Sequence, residues 1–471
     1  MSRRASRIWT LALTSVASLM VALDTLVVST ALTTIRLDLG ASIEELEWTV
    51  NAYNLSLAVL LLPAAALGDR FGRRRMFVGG LALFVAASAA CALAPGVGGL
   101  IAARAVQGVG AALVLSLSLA IVSAAFPAER RGGAIGILEG ITGLAVVAGP
   151  VLGGAIAEGI AWQWIFWLNV PIGLAAIPLV AARIEESFGS DTALDVGGFA
   201  LVTGGALGIV WALVRGNAAG WDSLEVIATF AGGGGLLAAF CAWELRVREP
   251  MLPLRFFRSR GFTAGNAGVF FLFASLFGAV FFFAQFLQTG LGYGPLDAGL
   301  RLVPWTATLF VIAPLAGALA DRLGDRPLMV GGLALQAVGM AWIASIADPA
   351  VAYPELIVPL VVAGVGTSMA IPPAANSVVG AVAADAVGKA AGANSMLREL
   401  GGVFGIAVLV AVFAGAGSYA SAAAFTDGFA PAIGVAAALA LVGAIAGMAL
   451  PGRRLTEVAE PVPALEAEGG G

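Results

Sequence analysis

Histidine is missing from all 471 residues, and only 11% of positions carry Asp, Glu, Lys or Arg. Soluble domains carry charge on about 25% of positions. A chain this poor in charge cannot cover its own surface, which excludes a water-soluble enzyme of several domains. Without histidine there is no His-ligated metal site and no histidine proton relay. Lysine is nearly absent too: of 25 basic residues only Lys389 is one, which reads as a GC-rich coding bias and points to a bacterial source. No dense basic face exists to support nucleic-acid binding. No Gly-rich Lys loop of the P-loop kind is present, so a nucleotide-driven pump has no site. The two cysteines, Cys91 and Cys241, lie in apolar stretches near opposite membrane faces and are expected to be free thiols.

What the chain does have is apolar length. Hydrophobic residues make up 60% and the mean hydropathy is +0.96. A membrane helix needs about 20 apolar residues. Fourteen stretches qualify, near 8–31, 49–67, 76–94, 99–122, 135–158, 164–182, 197–215, 226–245, 263–289, 299–320, 328–346, 355–379, 399–419 and 430–450. Continuous runs exclude a membrane barrel, whose strands alternate. The basic start MSRRASR followed by an apolar run resembles a signal peptide, but the run exceeds twenty residues and carries Asp24, so it is read as a mature span. The 63 glycines and 21 prolines are tolerable where membrane helices pack closely. The expected fold is all-α and polytopic.

Orientation follows from the basic residues. With the N-terminus cytoplasmic, Arg36, Arg215 and Arg301 fall outside, Arg104 falls within the fourth span, and the remaining 21 fall inside. That bias fits the positive-inside rule and puts both termini in the cytoplasm. Trp162, Trp164 and Trp167 suit an interfacial belt at the outer end of the sixth span.

The loop LGDRFGRRR at 67–75 returns as LADRLGDRP at 319–327, so that Asp69, Arg70 and Gly72 correspond to Asp321, Arg322 and Gly324. Pro63 and Pro314 precede the two copies at similar distances. Because the copies are eight spans apart, the simplest organisation is an N-terminal six-helix bundle (1–190) and a C-terminal one (251–455). Two inserted helices (191–250) lie between them, and a short acidic cytoplasmic tail (456–471) follows. Two bundles that rock about a central cavity are a recurring answer to alternating access. The loop serves either as a topology signal with a tight glycine turn or, in addition, as an ion-paired latch with Asp69 at the start of span three.

Polar groups at membrane depth are costly and mark function or structural pairing. Asp24 lies in the first span, roughly 10 Å from its outer end at 1.5 Å per residue, and Arg104 lies at similar depth in the fourth. They are read either as a structural pair or as a proton-coupling pair. Gln107 and Gly108 share the Arg104 face. Glu139, in span five, is a second candidate proton carrier, or a carboxylate that reaches cytoplasmic water. Asn51 with Asn54, and Gln285 with Gln288, are candidate substrate-cavity residues, each pair on one helix face. Eight phenylalanines between Phe270 and Phe286 surround span nine; a minority are expected to line a pocket for flat or cationic ligands.

Taken together, LDTLVVSTAL (23–32), LGDRFGRRR (67–75), RAVQGVGAA (104–112), GLAVVAGPVLGG (143–154), WQWIFWLNVPIG (162–173), RLVPW (301–305), LADRLG (319–324) and KAAGANSMLRELGG (389–402) resemble the major facilitator superfamily. Within it they look like the fourteen-span drug:proton antiporters of the EmrB/QacA type. The resemblance implies a proton-coupled antiporter exporting lipophilic, cationic small molecules across the bacterial inner membrane. Its partners would be protons, substrate and membrane lipid. It would work as a monomer, with no cofactor beyond the proton gradient and no metal. It further implies proton coupling at Asp24 and Arg104, a gating loop at Asp69, Arg70, Gly72, Arg73 and Arg74 with Asp321 and Arg322 in the second copy, and an antiporter motif at Gly143, Gly149, Pro150, Gly153 and Gly154. Ala65 stands where the family usually has glycine, Gln163 where arginine is common, and span ten lacks the acid some members use for divalent cations. The alternative within the fold is a dedicated exporter of one endogenous metabolite or antibiotic. A non-transporting receptor or scaffold is disfavoured by the lack of soluble segments.

Overall fold

The computed structural model describes residues 3–189, 195–248, 250–382 and 386–452. Among them, fourteen helices are long and apolar enough to cross a membrane, matching the fourteen spans in order. They are Ser6–Leu39, Ile43–Phe71, Arg73–Ala92, Val97–Ala125, Gly133–Gly159, Trp164–Arg183, Val196–Ala219, Leu224–Glu244, Arg260–Gly290, Pro295–Ala320, Asp325–Ile346, Tyr353–Val379, Val387–Ala416 and Ala422–Gly447. They are named spans 1 to 14.

Local chemistry starts and stops them. Ser42 opens span 2 with a reciprocal capping box: its Oγ accepts from the Glu45 N–H at 3.2 Å, while the Glu45 carboxylate accepts from the Ser42 N–H at 2.8 Å. Asp195, Ser223 and Ser421 cap spans 7, 8 and 14 through their side chains. The loop repeat is a structural repeat as well. Gly72 and Gly324 break the chain at matching points with φ of +103° and +85°, a region that costs little only for glycine. Pro63 and Pro314 lie inside the helices that precede them.

Spans 1 to 6 pack mainly on one another, and so do spans 9 to 14; spans 7 and 8 pack as a pair and reach spans 2 and 13. The two groups meet where spans 5 and 10, 2 and 13, and 1 and 9 touch. The mid-span phenylalanines divide by position. Phe281, Phe282, Phe283 and Phe286 are fully buried, with Phe286 stacked on Phe429 at 4.1 Å, whereas Phe273 and Phe277 face a cavity.

Three expectations are corrected. Span 1 continues to Leu39, not 31, and Asp24 therefore sits roughly 22 Å from its helix end. Span 13 begins at Val387, not 399. In both cases the helix runs beyond the apolar stretch, through Arg36 and Asp38 in span 1 and through Lys389 and Arg398 in span 13. Arg398 accordingly lies within a helix, not in a loop. Trp162 is not a belt residue: it is 2% exposed and donates to Asp38 at 2.7 Å. Of the three tryptophans, Trp164 is the exposed one.

The expected placement of both termini in the cytoplasm predicts that a cysteine at Ala218 is reached from outside and one at Gly452 from inside, in a version lacking Cys91 and Cys241. Both positions are exposed, and a Cβ at Gly452 meets nothing. Labelling of both from one side by an impermeant reagent would overturn the topology.

Candidate functional site

Residues from spans 1, 2, 3, 4 and 6 converge on one buried point in the first helix group. Asp24, 3% exposed, accepts from Arg104 Nη1, from Gln107 at 2.9 Å and from Asn169 at 2.7 Å. Gln107 also donates to Ser88 at 2.8 Å and accepts from Arg104 at 2.8 Å; Cys91 lies 3.7 Å from the same amide oxygen. Arg104 Nε donates to the Thr49 carbonyl at 3.1 Å, and the guanidinium lies 4.0 Å from the Tyr53 ring centre. Span 4 can bring Arg104 this close to span 2 because Gly108 carries no side chain: a Cβ there would press on Tyr53 and Ser56. An ion pair this deep is retained only when hydrogen bonds complete it. Here three further polar partners complete the pair, Gln107 on both groups, Asn169 on the carboxylate and the Thr49 carbonyl on the guanidinium, while Arg104 Nη2 has no partner among the described residues.

Beside this network lies a cavity of about 1430 Å³, bounded by both helix groups. Ala22, Thr25 and Leu26 of span 1 line it; Asp24, between them, does not. Its walls are mostly apolar, with the rings of Phe273, Phe277 and Trp305. Asp69, Arg73, Asp195 and Lys389 place its mouth at the end where the Arg-rich loops lie. Deeper in, Arg398 pairs with Glu399 at 3.0 Å and lies 5.6 Å from the Phe273 ring centre.

The opposite end is sealed. Gln288 of span 9 donates to the Thr30 carbonyl of span 1 at 2.9 Å. Arg36 lies 4.2 Å from the Tyr419 ring centre, and Tyr419 donates to Gln285. Burial holds the Tyr419 hydroxyl above its ordinary range, so it remains a donor. Glu158 accepts from the Leu296 N–H at 2.9 Å. Gly154 lies against the Pro295 backbone and Gly299 against that of Pro150, contacts that any side chain would break.

The site residues read from the sequence therefore separate into groups. Asp24, Arg104 and Gln107 are joined. Gly149 and Gly153 pack on span 1, Gly154 and Pro150 form the seal with span 10, and Gly143 borders the cavity. Asp69 accepts from Arg73 at 2.8 Å. The same loop is tied to the segment after span 6, with the Arg73 N–H on the Ser187 carbonyl at 2.9 Å and the Arg74 N–H on Glu186 at 2.8 Å. Arg70 lies over Phe71 at 5.3 Å, and Arg322 is exposed. The side chains of Glu139 and Asp321 lie outside the described residues.

The cavity assignment from sequence is corrected: none of Asn51, Asn54, Gln107, Gln285 and Gln288 lines it. Polarity and depth were visible, but the face was not. Gln285 and Gln288 belong to the seal, Gln107 to the ion-pair network. Asn51 accompanies Glu47 at 3.1 Å, both fully buried. Sequence reasoning missed Asn169, Ser88 and Tyr53 around Asp24, and Glu399 in the cavity. Asn169, an amide within the apolar run WLNVPIG, was the available signal for the first group.

The Major Facilitator Superfamily model matches residues 14–406 and again 266–465. The Tetracenomycin C resistance and export protein of Streptomyces glaucescens is 34% identical over 406 residues, 85% of this chain and 74% of that protein. Multidrug resistance protein Stp of Mycobacterium tuberculosis is 34% identical over 411 residues, 87% and 76% respectively. Among solved structures, the peptide transporter POT in complex with sulfate superimposes with a TM-score of 0.68 at 16% identity, covering 94% of each chain. That last likeness is one of fold alone.

Proposed function

This chain belongs to the major facilitator superfamily, and we propose that it exports lipophilic small molecules in exchange for protons, loading them from the cytoplasm through the cavity described above. The observation that carries the reading is the one-sided cavity: large, mostly apolar, shared by both helix groups and closed at the far end by contacts between them. Alternating access requires this asymmetry and its reversal. Two relatives are named for export or resistance, which supports the outward direction of transport.

Proton exchange is assigned to Asp24. In the state with the cavity at the Arg-rich end, its carboxylate is paired with Arg104. A proton arriving on Asp24 from the outside would remove the charge that holds Arg104, Gln107 and Asn169 together. Span 1 carries both Asp24 and the cavity-lining Thr25 and Leu26, so the two events act on one helix. A ligand shifts such an equilibrium only by its differential affinity for the two states.

Among the lining residues the charges balance: Asp69, Asp195 and Glu399 against Arg73, Lys389 and Arg398. Cations are favoured if substrate displaces Arg398, which already occupies the carboxylate and ring face a lipophilic cation would use. The same balance gives the second reading, a dedicated exporter of one uncharged aromatic metabolite. Inside-out vesicles with an imposed proton gradient, offered lipophilic cations and neutral polycyclic aromatics, test both. Gradient-dependent uptake of many cations supports the first reading, and uptake of one neutral class the second. Uptake of either that is unchanged by a protonophore would remove the proton from the proposal.

A further inference from the structure

The two inserted helices carry a site that transport of substrate leaves unexplained. Asp195 stands just before span 7 and borders the cavity mouth; Glu244 is the last residue of span 8 and is 3% exposed. One oxygen of each is fully engaged. Asp195 Oδ1 accepts from the Gly198 N–H and from Trp243 Nε1, both at 2.7 Å. Glu244 Oε2 accepts from the Leu252 N–H at 2.9 Å. The other two oxygens, Asp195 Oδ2 and Glu244 Oε1, are buried without any donor among the described residues. Both lie at the same place: they are the atoms a Cβ on Gly198 would strike, with Glu244 Oε1 at 2.6 Å.

Ionised carboxylates only accept hydrogen bonds, so two bare oxygens facing each other are both unsatisfied and mutually repelled. No described Arg or Lys forms an ion pair with either acid. Arg246, Arg248 and Arg255, the nearest cations in sequence, are exposed, and neither residues 190–194 nor residue 249 is basic. Among the described residues, the groups facing the pair are the Gly198 N–H from span 7, the Trp243 indole from span 8 and the backbone N–H groups of Met251 and Leu252. Lys389, Arg398 and Glu399 of span 13 border the same cavity.

We propose that Asp195 and Glu244 share a single proton, forming a proton-binding site on the inserted helix pair at the cavity mouth. The proton turns one carboxyl into a donor and satisfies both orphan oxygens at once. While bound, it ties the start of span 7, the end of span 8 and, through Leu252, the segment leading to span 9 into one unit. When it leaves, the mouth gains a second negative charge and the junction loses its link. The inference rests on these side chains alone and stands independently of proton exchange at Asp24.

The test is infrared spectroscopy of the full-length protein in lipid nanodiscs, following the C=O stretch of protonated carboxyls from mildly acidic to mildly alkaline pH. Glu244→Gln is a fold-preserving probe, because its amide N–H can donate to Asp195 Oδ2 in place of the proton. One carboxyl band should titrate in the wild type and be missing in Glu244→Gln. Asp195→Asn should remove the same band, and the double variant should lose no more than either single one. Spectra of Glu244→Gln that superimpose on the wild type overturn the proposal. So do losses that add in the double variant, since each acid would then hold its own proton. Loss of the band on adding Mg²⁺ or Ca²⁺ at constant pH would assign the site to a cation and equally overturn it.

Discussion

Asp24→Asn is expected to insert in the membrane and to lose proton-driven accumulation to background, while downhill exchange of substrate continues. The carboxylate now accepts from Arg104, Gln107 and Asn169. An asparagine oxygen can keep the two amide donors, but its own NH₂ meets a guanidinium that offers only donors. Arg104 is then a buried charge without a counter-charge, and removing one partner of such a pair costs about 3–5 kcal/mol. The Tyr53 face and the Thr49 carbonyl still hold it, so the variant should melt at lower temperature yet remain folded. The measurement is gradient-driven uptake in sealed vesicles, normalised to inserted protein, beside counterflow exchange without a gradient. A variant that accumulates substrate at the wild-type rate would show that the proton is carried elsewhere.

The parts of the molecule readable from sequence are those the bilayer imposes. Fourteen spans stand out because each must supply about 20 apolar residues, and a glycine turn repeated at Gly72 and Gly324 marks equivalent loops. Asp24 and Arg104 are conspicuous because charge at that depth demands a partner, although depth alone does not say that they touch. What sequence does not reveal is which way a polar side chain turns. Gln285 and Gln288 share one helix face, as their spacing requires, but that face belongs to the seal and not to the cavity. Glu399 escaped because the apolar run begins at that position, so it read as the edge of span 13, whereas the helix begins twelve residues earlier, at Val387, and carries Glu399 into the cavity wall. Asn169 and Ser88 are ordinary polar residues until spans 3, 4 and 6 bring them to one carboxylate. The inserted pair was legible as two extra helices, yet its two acids lie almost fifty residues apart and meet only when spans 7 and 8 pack.

Arg104→Lys separates the two roles that remain for the ion pair, counter-charge and geometry. Arginine uses its fork here: Nε reaches the Thr49 carbonyl at 3.1 Å, while Nη1 serves both Asp24 and Gln107. Its plane lies over the Tyr53 ring at 4.0 Å. A lysine ammonium keeps the charge but concentrates it at one point, which cannot span Thr49 and Asp24 in the same way. If Arg104 only neutralises Asp24, the lysine variant should transport at much of the wild-type rate with the same pH profile. If it also fixes how readily Asp24 gives up and regains its proton, the profile should move along the pH axis or flatten, even where insertion is normal. The second outcome is the expected one. Gln107 holds Asp24 and Arg104 together and is itself held by Ser88, so loss of the fork disturbs the whole carboxylate environment. Transport rate against pH, normalised to folded protein in the membrane, decides it. An unchanged profile at an unchanged rate would reduce Arg104 to a counter-charge and move the control of proton release to Gln107 and Asn169, where Gln107→Ala and Asn169→Ala would then be expected to shift it.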